Sequence, residues 1–130
     1  MESRYLYRGK RIDNGEWVEG YLSYPFCTEK GNESYYFYAK DSLGFFCRCV
    51  VDASTICQCT GLKDKNGRLI WENDIVKCGN TTAVIWDEHF ASWCLTKKRW
   101  MFHHFFGESQ SPEDCEVIGN KFDNPELLEV

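Results

Sequence analysis

The sequence predicts a mainly β fold, a small barrel or sandwich with very little helix, and three observations carry that expectation. Aromatic residues make up 16% of the 130-residue chain, and together with the β-branched residues they suit a half-buried pleated surface. Asp13-Asn14-Gly15 and Asn66-Gly67 are hairpin-turn signals, and in the second half short strands alternate with turns about every ten residues, as in small barrels and sandwiches. Finally, no window of about a dozen residues shows a sustained 3.6-residue apolar repeat between helix caps.

In chain order, residues 4–22 place two aromatic-rich segments on either side of Asp13-Asn14-Gly15, which predicts a hairpin because Asn and Gly accept positive φ. Pro25 to Ser34 is polar, contains Gly31-Asn32, and reads as a loop. Tyr35 to Ala39 and Phe45 to Val51 form a second hairpin across Asp41-Ser42-Leu43-Gly44. Further strands are expected at Ile56 to Leu62, Arg68 to Trp71, Ile75 to Cys78, Ala83 to Trp86, Phe90 to Thr96 and Glu116 to Lys121, with Asn66-Gly67 turning one hairpin. Trp100 to Phe106 is ambiguous, because a short apolar run fits a buried strand or a helical turn. Ser109 to Asp114, with Pro112, reads as a loop. At the end, Asn124-Pro125-Glu126-Leu127-Leu128 has an Asn cap, proline at the first helical position, and one short turn. The chain divides into an N-terminal β-hairpin subdomain, residues 1–59, and a C-terminal β subdomain, residues 60–130, packed together.

Composition narrows function by exclusion. Hydrophobic residues are 43% of the chain, too many for intrinsic disorder. No apolar run approaches the ~20 residues of a membrane helix, and Met1-Glu2-Ser3-Arg4 is not followed by an apolar signal region, so no membrane partner and a cytoplasmic location are expected. The formal net charge is −5, with seven Lys/Arg against eight Asp/Glu in residues 1–59 and eight against twelve in residues 60–130. Nonspecific binding of DNA or RNA rests on cations meeting phosphates, and this balance opposes it. The one basic run, Lys97-Lys98-Arg99 between Trp93 and Trp100, has the cation-plus-aromatic character of a nucleic-acid surface. A solvated hairpin turn accounts for it better.

The eight cysteines are Cys27, Cys47, Cys49, Cys57, Cys59, Cys78, Cys94 and Cys115. In a short secreted chain they would suggest a disulfide framework, but a cytoplasmic location argues against one. The Cys-x-Cys pairs 47/49 and 57/59 would each project both thiols from one face of a strand, so two adjacent strands could surround a zinc ion. Structural zinc sites use Cys-x2-Cys on tight turns, however, and burial as small hydrophobes explains these pairs better.

Two blocks, TGLKDKNGRLIWENDIV (60–76) and CEVIGNKFDNPELL (115–128), resemble the YopX family of phage and prophage proteins. The opening RYLYRGKRIDNGEW and the approach VDASTICQCTG (51–61) are also similar to its members. The resemblance implies a phage or prophage origin in a bacterial host and a fold, and it assigns no chemistry. Two departures are informative. Asn73 stands where the family usually has Gly in Glu-Gly-Asp-Ile-Val, and Asn is the residue that best replaces Gly in a left-handed conformation. Cys59 stands where Phe or Tyr is usual and Cys57 where Gly is frequent, which suits close packing better than metal ligation. Independently of the family, Lys65-Asn66-Gly67 reads as a hairpin tip, and Asp74 as a carboxylate accepting from turn amides. Segments of the type Asp74-Ile75-Val76, followed by strands ending near Trp86 and Gly119, are typical of SH3-like barrels, which is the architecture expected for residues 60–122.

Catalysis needs ionisable groups held together in a cleft or a nucleophile beside an oriented base, and the sequence offers few. The densest polar group is Asp87-Glu88-His89, with His103 and His104 further on. Asp87, His89 and His103 form a candidate divalent-metal set if the intervening strands pair, and only one of two adjacent histidines can face inward. An exposed turn explains Asp87 to His89 equally well. No phosphate-binding glycine loop, Gly-x-Ser-x-Gly, His-Glu-x-x-His or dinucleotide fingerprint is present, and no cofactor is expected. The twenty-one aromatic residues exceed what a core of this size readily hides, which points to a contact surface; a dense aromatic core with Tyr hydroxyls reaching solvent accounts for them equally well. The expected function is therefore a non-enzymatic protein-interaction or assembly module, with a protein partner or a second copy of the chain. A nucleic-acid-associated regulator of phage growth is the alternative, and a metal-dependent enzyme the third.

Overall fold

The computed structural model of the chain describes residues 5–22, 26–29, 32–40, 46–96, 104–105 and 111–128. It divides into two units, Met1–Cys59 and Thr60–Val130. Among the described residues the structure is mainly β, in two antiparallel sheets, and helix is confined to 3-10 turns of three or four residues. No helix among them is long and apolar enough to cross a membrane.

In the first unit, strands β1 (Tyr7–Lys10) and β2 (Trp17–Leu22) pair from Tyr7 opposite Gly20 to Lys10 opposite Trp17. The turn between them is the expected Asp13-Asn14-Gly15, with Gly15 at φ 72°. Arg11 holds the Asp13 carboxylate through Nε at 2.9 Å and Nη2 at 2.6 Å, while Asn14 Oδ1 accepts from the Glu16 N–H at 2.9 Å. These local bonds shape the turn, and the Ile12 N–H, which donates to Val50 O at 3.1 Å, ties it to the body of the unit. Strands β3 (Phe26–Glu29) and β4 (Asn32–Lys40) follow, and β4 pairs with β2 and with β5 (Phe46–Val51).

The second hairpin is as expected, but the loop expected over Pro25 to Ser34 is corrected. Phe26–Glu29 and the start of β4 form a ladder there, with Phe26 opposite Ser34 and Cys27 opposite Glu33. As β3 ends the strand order of its sheet, its pairing rests on backbone bonds and tolerates the polar side chains that such edges carry. The interior of this unit contains Phe37, Cys49, Val51 and Cys57, all buried. Gly9 admits that packing, because a Cβ there would lie 3.3 Å from Val51 Cβ and 3.5 Å from Phe37 Cζ.

Strand β6 (Cys57–Lys63) begins in the first unit, where Cys57 pairs with Arg8 and Gln58 with Tyr7, and ends in the second. There it neighbours β7 (Leu69–Trp71) across the Asn66-Gly67 turn. Strands β8 (Asp74–Cys78), β9 (Asn80–Asp87), β10 (Ser92–Thr96), β11 (His104–Phe105) and β12 (Glu116–Asn120) form a sheet in the order β11-β10-β9-β8-β12. Its strands match the expected ones to within a few residues. Among the described residues this sheet ends at β11 and β12, so the barrel expected for this half is not closed. Phe90 also departs from expectation. Asp87 Oδ1 accepts from the N–H groups of His89 at 2.9 Å and Phe90 at 3.2 Å, and Ala91 has φ 48°, so the turn runs on and β10 begins only at Ser92. Of the ambiguous Trp100 to Phe106 segment, His104 and Phe105 are strand, and the rest lies outside the described residues.

The core of the second unit is Ile70, Val76, Val84, Leu95, Cys115 and Val117, with Leu62, Cys78 and Trp93 packed against it. One cysteine pair overturns the expectation that the chain carries no disulfide: Cys78 and Cys115 are bonded. The register explains the pairing, since Glu116 lies opposite Lys77 and the next positions outward are the two cysteines, with Cα atoms 4.5 Å apart, within disulfide reach.

At the C-terminus Pro125 opens the expected short turn, Pro125–Leu128. The Asn124 side chain does not cap it as expected; its Oδ1 accepts from the Asn120 N–H at 3.3 Å. This return contact occupies the space beside Gly119, where a Cβ would sit 2.5 Å from Asn124 Oδ1. Gly119→Ala is therefore expected to cost about 1–3 kcal/mol, as overpacking does, and Asn124→Ala in the same chain to recover most of that loss. Urea unfolding of the two single variants and the double variant checks this; strict additivity would contradict it.

Candidate functional site

Two buried carboxylates, Asp64 and Asp74, organise the turns of the second unit. Asp64, which follows β6, is buried, and its two oxygens serve three backbone donors. Oδ1 accepts from the N–H groups of Asn66 and Arg68, each at 2.9 Å, and Oδ2 from that of Val117 at 3.0 Å. One side chain thus closes the Asn66-Gly67 turn and ties it to β12, 53 residues away. Burial pushes the Asp64 carboxyl up, but the Val117, Arg68 and Asn66 amides, with the Arg68 charge, outweigh it and hold the group below its ordinary value of 3.8. Around the same junction the Lys65 N–H donates to the Cys115 carbonyl at 2.9 Å, and Lys65 Nζ lies 3.4 Å from the Glu116 carboxylate.

Asp74 repeats the device one turn later. Its carboxylate is buried, and Oδ2 accepts from the Trp71 N–H at 2.8 Å, across the turn in which Asn73 takes φ 69°. This is the role expected of Asp74, and the left-handed Asn73 is the expected substitute for glycine. The Asn73 peptide is held on both sides, its N–H donating to Val84 O at 2.8 Å and its carbonyl accepting from the Lys121 N–H at 3.0 Å. Asp64 escaped the sequence reading, although Asp-x-Asn-Gly at a hairpin tip is a local signal for a carboxylate that accepts from its own turn.

The candidate metal set is not assembled among the described residues. Asp87 serves the turn amides of His89 and Phe90, and His89 is exposed, stacked edge-on against Phe90 with ring centroids 4.8 Å apart. His103 lies outside the described residues. His104 pairs with Leu95, which is three residues, or roughly 10 Å, along β10 from its start at the hairpin tip. No group of three or more His, Cys, Asp or Glu able to hold a metal ion occurs among the described residues. Lys97, Lys98 and Arg99 also lie outside them.

Cys57 and Cys59 share a strand face, as expected, and both are buried; the Cys57 thiol lies 3.3 Å from the Thr55 carbonyl that it faces. Cys49 is buried on β5. On β10 the Cys94 thiol is pushed up, by burial first and by the Asp87 carboxylate second, which keeps it protonated and a poor nucleophile.

What the described surface does present is aromatic. At the β9–β10 hairpin Trp86 and Trp93 are directly paired across the strands, their rings edge to face with centroids 5.1 Å apart. Trp93 packs against the core, whereas Trp86 is 42% exposed and Phe90, at the tip, 55% exposed. Two of these large side chains therefore stand in solvent on a turn that the Asp87 carboxylate holds in shape. In the first unit Trp17 carries two cations, with the Arg8 guanidinium 4.8 Å and Lys10 Nζ 5.3 Å from its ring centroid.

Comparison with known proteins places this scaffold. The chain is similar to a solved structure, the crystal structure of protein EF1440 from Enterococcus faecalis, at 22% identity and a TM-score of 0.55, covering 94% of this chain and 96% of that one; at that identity the likeness speaks for the fold. No curated protein matches the chain. The family model described as YopX protein matches residues 6–129, which takes in both units and both motif blocks, and the chain belongs to the YopX family.

Proposed function

We propose that the protein is a non-enzymatic interaction or assembly module whose contact surface is the aromatic tip of the β9–β10 hairpin. The observation that carries this reading is the exposure of Trp86 and Phe90 beside the half-buried Trp93. Large aromatic side chains on a preformed turn bring contact area at low cost in conformational entropy, and such residues are enriched at protein interfaces. The buried carboxylates support the same reading, because Asp64 and Asp74 are engaged by backbone amides and serve the turns. The partner is a protein, with a second copy of the chain the simplest case. In keeping with the family's phage and prophage members, the setting is a bacterial host. We carry into this reading an SH3-like arrangement of residues 60–122, supported by five short antiparallel strands around one core.

Light scattering at micromolar concentration tests the assembly. The wild type is expected to exceed the monomer mass of 15.3 kDa, and Trp86→Ala combined with Phe90→Ala to return it to that mass. A wild type that stays strictly monomeric would contradict self-assembly through this tip.

A further inference from the structure

We propose that the Cys78–Cys115 disulfide is a thiol–disulfide exchange site, opened in the folded protein by a dithiol reductant that attacks the Cys78 sulfur. Three observations carry this. The two ends of the bridge differ in access: Cys78, the last residue of β8, is partly exposed and followed by the exposed Gly79 and Asn80, whereas Cys115 is fully buried. A nucleophile arriving from solvent therefore meets Cys78 first. The buried end also has a partner ready for the reduced state, because Cys115 Sγ lies 3.3 Å from the Ser111 carbonyl oxygen. Once cleaved, the Cys115 thiol can donate there instead of being left as an unsatisfied buried group. Other bonds also hold the strands in register: β12 pairs with β8, the Val117 N–H donates to Asp64, and the Lys65 N–H donates to the Cys115 carbonyl.

The step balances as ordinary exchange. A thiolate of the dithiol bonds to Cys78 Sγ, the Cys78–Cys115 bond breaks, and Cys115 leaves as a thiolate that takes up a proton. The second thiol of the reductant then attacks its own sulfur in the mixed disulfide and releases Cys78. Two electrons and two protons pass to the protein, and the reductant ends as a disulfide. The consequence lies on the edge of the sheet: reduction leaves β12 held by its backbone bonds, the Asp64 carboxylate and its packing on the core, without the covalent link to β8, so the redox state sets how firmly that edge is closed.

The test is the rate of native-state reduction by dithiothreitol, followed by acid quench, unfolding, alkylation and peptide mass spectrometry of Cys78 and Cys115. The expected rate rises linearly with dithiothreitol concentration and exceeds the unfolding rate measured by circular dichroism. A rate that saturates at the unfolding rate would overturn the proposal, as would finding both residues as thiols after equilibration with glutathione disulfide. A second measurement reads the asymmetry: Cys115→Ser, which leaves Cys78, is expected to form its mixed disulfide with glutathione disulfide at least about tenfold faster than Cys78→Ser, which leaves the buried Cys115. Equal rates in the folded variants would remove the assignment of Cys78 as the attacked sulfur.

Discussion

Replacing Cys78 and Cys115 together by serine is expected to lower the stability of the second unit by about 3–4 kcal/mol, the loop-closure value for a bridge spanning 37 residues. For a unit of this size that corresponds to a fall in unfolding midpoint of roughly 12–32 °C. The effect is large because the bridge joins the end of β8 to the start of β12 across everything the chain inserts between them, and because Cys78 and Cys115 pack on the core. Differential scanning calorimetry of the oxidised wild type and the double variant checks it. Reduced wild type is expected to unfold close to the variant. A double variant that melts within ~2 °C of the oxidised wild type would show that the bridge adds no stability.

Asp64→Ala is expected to cost about 3–5 kcal/mol, because one substitution strips a charged acceptor from three backbone donors, and hydrogen bonds to charged groups are worth about 1.5–3 kcal/mol each. The three are unequal. Asn66 and Arg68 belong to exposed turn residues whose amides water can reach, whereas the bond to the Val117 N–H is buried, and a buried donor left without an acceptor bears the full desolvation penalty. Asp64→Asn is expected to recover only part of the loss, since one of its two positions becomes a donor facing donors.

The same site gives a pH dependence of definite sign. The folded-state value of Asp64 lies below its ordinary 3.8, so its contribution is complete above about pH 3.8 and disappears as the pH falls through the folded-state value. Urea unfolding across the acid range is expected to show a steeper loss of stability for the wild type than for Asp64→Asn. Parallel pH profiles would contradict the assignment.

The parts of this molecule that were legible in its sequence are those decided over a few neighbouring residues. Asp13-Asn14-Gly15 takes its shape from bonds among Arg11, Asp13, Asn14 and Glu16 and from the positive φ of Gly15. Asp74 likewise acts within one turn, its carboxylate reaching back three residues to Trp71, and the left-handed conformation of Asn73 belongs to the same turn. What was not legible depends on register or on distant partners. Cys78 meets Cys115 only because β8 and β12 align Lys77 with Glu116, and eight cysteines carry no mark of which two will be opposed. The reach of Asp64 to Val117 spans 53 residues and is invisible before β12 is placed. Phe26–Glu29 read as loop because its side chains are mixed, although an edge strand needs only its backbone. Phe90 read as strand because aromatic residues favour strands, but the Asp87 carboxylate captured its N–H for the turn. The aromatic excess was readable as a sum; its location at Trp86 and Phe90 was not, since Trp86 lies on the same sheet face as Trp93 and is exposed only because it sits at the hairpin end of that face.

Two buried carboxylates, Asp64 and Asp74, hold the turns of the second unit together. Amide hydrogen exchange at the Trp71 and Val117 N–H groups tests it most directly, since their acceptors are the side chains of Asp74 and Asp64. Both amides are expected to be protected in the wild type, with Val117 alone losing protection in Asp64→Asn and Trp71 alone in Asp74→Asn. Fast exchange of these amides in the wild type would mean that the two carboxylates are disengaged from the backbone, and the account would fail.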